Sequence, residues 1–158
     1  MKNNFIIILL TLILSLNINS YVNSEELIFE SDKIELRDNG NIIEAKDGVE
    51  IQGVNNIVIR AENSLYDNLS SELLLKDKVV FYDNEKGIKI TSDKVLYKRK
   101  EQKIISSGKT QIQLADDYKI ITENIEYLKK ENIIQSKSKT ILLDKFNNQV
   151  NVTDFKYL

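Results

Sequence analysis

The chain has 158 residues, 22 Lys and Arg against 24 Asp and Glu, and neither cysteine nor histidine. This length suits one domain with a core of its own. The signs of charge are interspersed, which leaves no large basic field for a nucleic acid. Without cysteine there are no disulfides or thiolate metal sites, and without histidine the usual general base and the commonest metal ligand are missing. We therefore expect no metal, no cofactor and no enzymatic activity.

The first 24 residues differ from the rest of the chain. Lys2 precedes an apolar or small run from Phe5 to Leu16, and a polar stretch then ends in Val22-Asn23-Ser24. This order of a charged, an apolar and a polar segment is typical of a secretory signal peptide. The apolar run is short for a membrane-spanning helix, since a bilayer span needs about 20 apolar residues. An uncleaved inner-membrane anchor is the alternative, whereas a lipoprotein anchor is excluded because no cysteine follows the run. We predict export, cleavage near Glu25, and one domain over 25–158.

An eight-residue pattern recurs through that domain. It occurs at Ile59–Tyr66, Ile90–Tyr97 and Ile120–Tyr127, each with an apolar first residue, a small third residue, an acidic fourth residue and a final tyrosine. The tyrosines at 66, 97, 127 and 157 are spaced by 31, 30 and 30 residues. Looser copies begin at Phe29 and Val150. A fixed period of this size indicates a repeat architecture.

Within each repeat, apolar residues alternate with a period of two, which predicts two half-buried strands of about ten residues joined by a polar turn. The alternation slips by one residue before each tyrosine position, as a β-bulge would produce. Eleven residues after each tyrosine position, the inward slot holds Asp47, Asp77, Gly108 or Ser138 instead of a large apolar residue. Both strands should therefore bend near their middles. Four bent hairpins side by side then give two facing sheets with an apolar interior.

The repeat unit resembles a known family. Ile-x-Ala/Ser/Thr-Asp/Glu-x-φ-x-Tyr (φ being apolar), followed eleven residues on by Asp-Lys-Val-Val-Phe (77–81) or Gly-Lys-Thr-Gln-Ile (108–112), is similar to the OstA-like repeat of lipopolysaccharide-transport proteins. That family includes the bridge protein LptA, the anchored LptC and the N-terminal domain of LptD. The likeness covers essentially all of 27–158. It implies an OstA-like β-jellyroll, and the halt at Leu158 in mid-hairpin suits a longer protein such as an LptD N-terminal part.

The resemblance also implies a function. The apolar interior would be an open trough that shields the acyl chains of lipopolysaccharide, or of its lipid A part, during transport through the periplasm to the outer membrane. Partners would be OstA-like domains of the inner- and outer-membrane components, which add strands at the sheet edges predicted around 27–31 and 149–157. The trough would be lined by the inward-facing apolar residues Ile59, Ile90, Ile120, Leu73, Leu75, Ile104, Ile134, Val79, Phe81, Ile112 and Leu142.

Two further expectations concern this lining. The isoleucines at 59, 90 and 120 should each lie beside the same residue of the next repeat, whereas Arg60, Lys89 and Lys119 should face outward because strand side chains alternate. The alternative to transport is a structural β-solenoid or adhesin with a dry core. The periodicity of the sequence fits a closed interior as well as an open one.

The recurring polar residues have structural interpretations. The tyrosines are expected to stack across strands with their hydroxyls in water. The acids at 32, 62, 93 and 123 are expected to lie in solvent at the bulges and to cap backbone N–H groups rather than to hold a metal. The basic segments 98–100 and 129–130 are interpreted as solvated turns, with contact to lipid phosphates at the trough rim as the alternative.

Overall fold

The structure, a computed structural model, describes residues 26–53, 56–115 and 118–158. The predicted signal peptide and the alternative membrane anchor lie outside these residues. Within them, the chain forms thirteen β-strands and one short 3₁₀ turn, Asp38–Gly40. No helix in the described ranges is long and apolar enough to cross a membrane.

All paired strands are antiparallel; five strands are long, with 10 to 12 residues each, and the other eight have three to five residues. The strands are β1 (Ile28–Arg37), β2 (Ile42–Gly53), β3 (Ile57–Ala61), β4 (Asn63–Asp67), β5 (Glu72–Asp83), β6 (Ile88–Lys98), β7 (Lys103–Gln113), β8 (Lys119–Thr122), β9 (Glu126–Leu128), β10 (Ile133–Ser136), β11 (Thr140–Leu143), β12 (Gln149–Val152) and β13 (Phe155–Tyr157).

The sheet folds into two layers that share the long strands β1, β2, β5, β6 and β7. In the first layer, β3 lies between β2 and β5, and β8, β11 and β12 follow β7. In the second layer, β4 lies between β2 and β5, and β9, β10 and β13 follow β7. The predicted pair of facing sheets built from bent hairpins is therefore confirmed.

The long strands bend at shifts in pairing register, and we call this line of the fold the hinge. The shifts lie at 31–33 in β1, 76–79 in β5 and 92–94 in β6, which confirms the predicted slip. The prediction that the residues eleven positions after the tyrosine fill an inward slot is wrong. Asp47, Asp77 and Gly108 are exposed and have φ of 63°, 63° and 86°, because the chain bulges outward there before it returns to the interior.

Small hydroxyl residues line the inner side of the hinge. The Ser92 and Ser106 hydroxyls lie 3.1 and 2.7 Å from Thr110 Oγ1, and those of Thr122 and Ser136 lie 3.1 Å apart. All five residues are buried. The small residue of the repeat therefore supplies a hydroxyl that pairs with a neighbour where the bend leaves the regular ladder, because a buried polar group without a partner is costly.

The interior is built from two rows of side chains that run across the strands. In the first layer the row is Phe29, Ile51, Ile59, Phe81, Ile90, Ile112, Ile120, Leu142 and Val150. In the second layer it is Ile43, Tyr66, Leu73, Tyr97, Ile104, Tyr127, Ile134 and Tyr157.

These rows correct two predictions. Isoleucines of successive repeats are not neighbours, because the second strand of each hairpin places Phe81 or Ile112 between them. For the same reason the tyrosines do not stack on one another, since Leu73 and Ile104 separate them.

Candidate functional site: the interior, its seam and its C-terminal cleft

The predicted trough lining forms the core of the sandwich. Ten of its eleven residues are at most 2% exposed, and the remaining one, Leu142, is half-buried. Aromatic rings fill the space between the layers: Phe81 meets Tyr97 edge-to-face with ring centroids 5.5 Å apart, and Phe29 lies 5.9 Å from Tyr66. Each of these pairs joins the first layer to the second. Over the first three repeats the protein's own side chains therefore occupy the interior.

Opposite the hinge, the edges of the two layers meet along a line that we call the seam. In the first layer, β2 ends at Gly53 and β5 at Asp83, and Leu114 directly follows β7. In the second layer, Arg99 and Lys129 stand two residues after the tyrosines at 97 and 127. This side of the fold carries buried charge, which is unusual in an otherwise apolar interior.

Asp83 joins the layers across the seam. Its side chain is fully buried, and its Oδ2 atom lies 2.9 Å from Lys129 Nζ and accepts a hydrogen bond of 3.0 Å from the Tyr127 hydroxyl. The interpretation of Lys129 as part of a solvated turn is therefore wrong, because Lys129 is only 7% exposed. The Tyr127 hydroxyl likewise binds a carboxylate instead of water. Burial, reinforced by the negative charge of Asp83, raises the pKa of Tyr127 and keeps the hydroxyl protonated as a donor.

Arg99 occupies the corresponding position one repeat earlier. Its Nη1 atom donates a hydrogen bond of 2.5 Å to the Tyr66 hydroxyl, and its guanidinium carbon lies 5.5 Å from the Tyr66 ring centroid. The Tyr66 hydroxyl is thus also bound to protein, which corrects the expectation that it lies in water. The neighbours of Arg99 behave as surface residues: Lys98 pairs with Glu72 at 3.0 Å, and Lys100 is exposed.

The interior is open to solvent at the C-terminal end of the fold, where β12 is the last strand of the first layer and β13 is the last strand of the second layer. Between them lies a cleft of about 390 Å³. It is lined by Leu114, Tyr118, Lys119, Ile120, Leu142, Leu143, Asp144, Asn148, Val150, Phe155 and Tyr157. Val150 and Tyr157 are 54% and 37% exposed because no further strand covers them in the described chain.

Two of the predicted lining residues, Ile120 and Leu142, reach this cleft, and the other nine do not. The outward prediction is confirmed for the exposed Arg60, but Lys119 lies on the wall of the cleft. Phe155 also lines the cleft and was not among the predicted residues, although it stands two residues before Tyr157, as the buried Ile125 stands before Tyr127.

The edges and the recurring acids follow the predictions more closely. Among the described residues, β1, β12 and β13 each pair on one side only, so the predicted edges are confirmed. Asp93 accepts a 3.3 Å hydrogen bond from the backbone N–H of Lys109, which confirms the capping role there, whereas Glu62 pairs with the Lys78 ammonium at 2.8 Å. The described residues contain no cluster of three or more acids that could hold a metal ion.

Comparison with known proteins places this geometry in a known fold. No family model and no curated protein matches the sequence. Among solved structures, LptH of Pseudomonas aeruginosa aligns with a TM-score of 0.64 over 81% of this chain and 94% of its own. The chain has the OstA-like β-jellyroll fold of LptH. This confirms the predicted fold class. At 10% sequence identity the likeness to LptH concerns the fold, and function must be argued from the residues of this chain.

Proposed function

We propose that this protein is a periplasmic lipid-binding module for lipopolysaccharide transport that shields acyl chains between its two layers. The observation that carries the proposal is the apolar interior row of the first layer, which continues through Ile120 and Leu142 into an open cleft at the C-terminal end. An apolar cleft that stays open to solvent favours an apolar ligand. The fold supports the proposal as well, because LptH is the LptA-homologous periplasmic component of a lipopolysaccharide transport device.

The driving force is the removal of methylene groups from water. Each contributes about 0.8 kcal/mol, so a chain of about a dozen contributes on the order of 10 kcal/mol before the costs of ordering. Deeper entry requires an acyl chain to replace contacts such as Phe81 with Tyr97. That contact is made by two aromatic rings, so at this point the replacement exchanges one apolar contact for another. The cleft is therefore the entry point, and the closed repeats open as the chain advances.

The sheet edges supply a route between molecules. The unpaired sides of β1, β12 and β13 offer backbone N–H and C=O groups for strand addition by another domain of the same fold. Because the cleft lies between β12 and β13, a domain added there would extend both layers and continue the interior. We propose OstA-like domains of inner- and outer-membrane transport components as the partners.

A structural β-solenoid with a dry core is the second candidate. The observation that favours it is the near-complete burial of the interior over the first three repeats, where the lining residues are at most 2% exposed. In that case lipid would not displace the packed side chains, and the C-terminal cleft would serve only to join copies or partners.

Photo-crosslinking in cells separates the two candidates. A photoreactive residue at Leu142 or Ile120 tests the cleft, and one at Ile90 tests the closed interior. Arg60 and Lys89 serve as controls on the outer face, whereas Lys119 does not, because it lines the cleft. Transport predicts that lipopolysaccharide is captured at 120, 142 and 90 but not at 60 or 89. Equal capture on both faces, or none on either, would leave the dry solenoid.

A further inference from the structure

Arg99 lies at the seam as a cation without a carboxylate partner. Within the described ranges no Asp or Glu oxygen lies within 4.0 Å of its nitrogens, whereas Arg37 and Arg60 each pair with a glutamate. Among the residues that the structure describes, its one side-chain hydrogen bond goes to the Tyr66 hydroxyl, and its Nε atom is buried without a hydrogen-bond partner. A half-buried guanidinium in this state keeps its full positive charge and most of its five N–H donors.

Comparison of equivalent repeat positions explains why Arg99 has no carboxylate partner among the described residues. Lys129 follows Asp83 by 46 residues, and Arg99 follows Gly53 by the same 46. Gly53 therefore holds, in the first repeat, the position from which Asp83 reaches Lys129. A glycine has no side chain, so within residues 26–53, 56–115 and 118–158 a carboxylate pairs with the second of these cations and none pairs with the first.

We propose that Arg99 binds a phosphate-type anion at the seam, where Lys129, one repeat later, pairs with a carboxylate of the protein itself. A guanidinium presents paired N–H donors in a plane and matches two oxygens of a phosphate group. Lys129 does not offer the same site, because the Asp83 carboxylate already lies 2.9 Å from its ammonium and would repel an anion. Arg99 is half-buried, so an anion can reach it from the surface.

Such an anion has two sources, inorganic phosphate or the phosphorylated headgroup of a lipid whose chains lie between the layers. The second source rests on the proposed function. In that case the headgroup stays at the seam in water while the acyl chains are covered, and Arg99 fixes the depth and the orientation of the ligand.

The anion site is tested first without lipid. The full chain contains three arginines, so its arginine Nε–H signals can be followed by NMR during titration with inorganic phosphate. We expect the Arg99 signal to shift and to saturate, while the signals of Arg37 and Arg60, which are paired with Glu44 and Glu50, stay in place. A linear shift of all three signals, or no shift at Arg99, would overturn the proposal whatever the protein does with lipid.

The source is tested with two lipids of equal chain length, the anionic lysophosphatidic acid and the uncharged monoacylglycerol. We expect the anionic lipid to bind about tenfold more tightly, which corresponds to about 1.4 kcal/mol. Arg99→Gln should abolish this ratio and leave monoacylglycerol binding unchanged, and Arg99→Lys should restore part of it. Lys100→Gln removes the same charge from the exposed neighbour and should preserve the ratio.

The outcomes are distinguishable. A ratio that survives Arg99→Gln, or is lost equally with Lys100→Gln, would overturn the assignment to Arg99. If phosphate saturates Arg99 but neither lipid binds, the anion site stands with a free anion as its ligand and the lipid function fails. Melting curves identify an unfolded variant, and the phosphate titration of the unmodified protein does not depend on any variant.

Discussion

Breaking the Asp83–Lys129 pair tests how the seam is held. Among the described residues, Asp83 is the one carboxylate that pairs with Lys129, so Asp83→Asn leaves an ammonium that is 7% exposed without this counter-charge. The loss of one partner of a buried pair destabilises a protein by about 3–5 kcal/mol, because the remaining charge stays desolvated. A domain of this size has a total stability of about 5–15 kcal/mol, so the change removes a large part of it.

The assay is thermal melting monitored by circular dichroism at neutral pH. A loss of about 3–5 kcal/mol lowers the Tm by about 10–15 °C. The Tyr127 hydroxyl donates to Asp83, so Tyr127→Phe is the reference for removing the whole pair. In that background, Asp83→Leu with Lys129→Met removes both charges, keeps apolar volume and leaves no hydroxyl without an acceptor, so we expect a Tm equal to or above that of Tyr127→Phe alone. The single variant measures the unpaired charge, and the combined change in the Tyr127→Phe background measures the net worth of the pair.

A surface pair provides the matched control. Glu62 and Lys78 are 2.8 Å apart, close to the 2.9 Å of the seam pair, but the Lys78 side chain is 84% exposed. Glu62→Gln should leave the Tm nearly unchanged, because exposed ion pairs contribute little. If Asp83→Asn and Glu62→Gln had the same Tm, the reasoning would be refuted, because burial would then make no difference to the contribution of an ion pair to stability.

Two other predictions concern the buried hydroxyl of Tyr127 and the unpaired edges of the sheet. Tyr127 has a raised pKa, so its neutral form stabilises the fold below pH about 10, the ordinary value, and this contribution is lost as the pH rises further. Tyr127 should therefore not ionise in the folded protein just above pH 10, and Tyr127→Phe should leave the tyrosinate absorbance unchanged there. A tyrosinate signal that is smaller by one tyrosine in the variant would show that Tyr127 does ionise, and would contradict the prediction. Sedimentation should show concentration-dependent oligomers, and deletion of 148–158 should reduce them while circular dichroism retains the β-sheet signal. Monomers at every concentration would argue against strand addition at the edges.

The sequence by itself determined the repeat, the strand character and the side of each strand that is buried. Alternation fixes the buried face because successive side chains of a strand point to opposite sides. Ile59, Ile90 and Ile120 were therefore placed correctly in the interior, and the slip before each tyrosine correctly marked the bend. The same alternation places the acidic residue Asp83 on the buried face, two residues after Phe81.

Only the tertiary structure decided which side chains meet. The neighbour of Ile90 is Phe81 rather than another isoleucine, because pairing depends on the order of strands in the sheet and not on the period of the repeat. Asp83, Tyr127 and Lys129 come from different repeats and meet only when the second layer closes over the first. The openness of the interior is decided in the same way: the repeats are alike in sequence, but Val150 and Tyr157 of the last one have no neighbouring strand in the described chain to cover them.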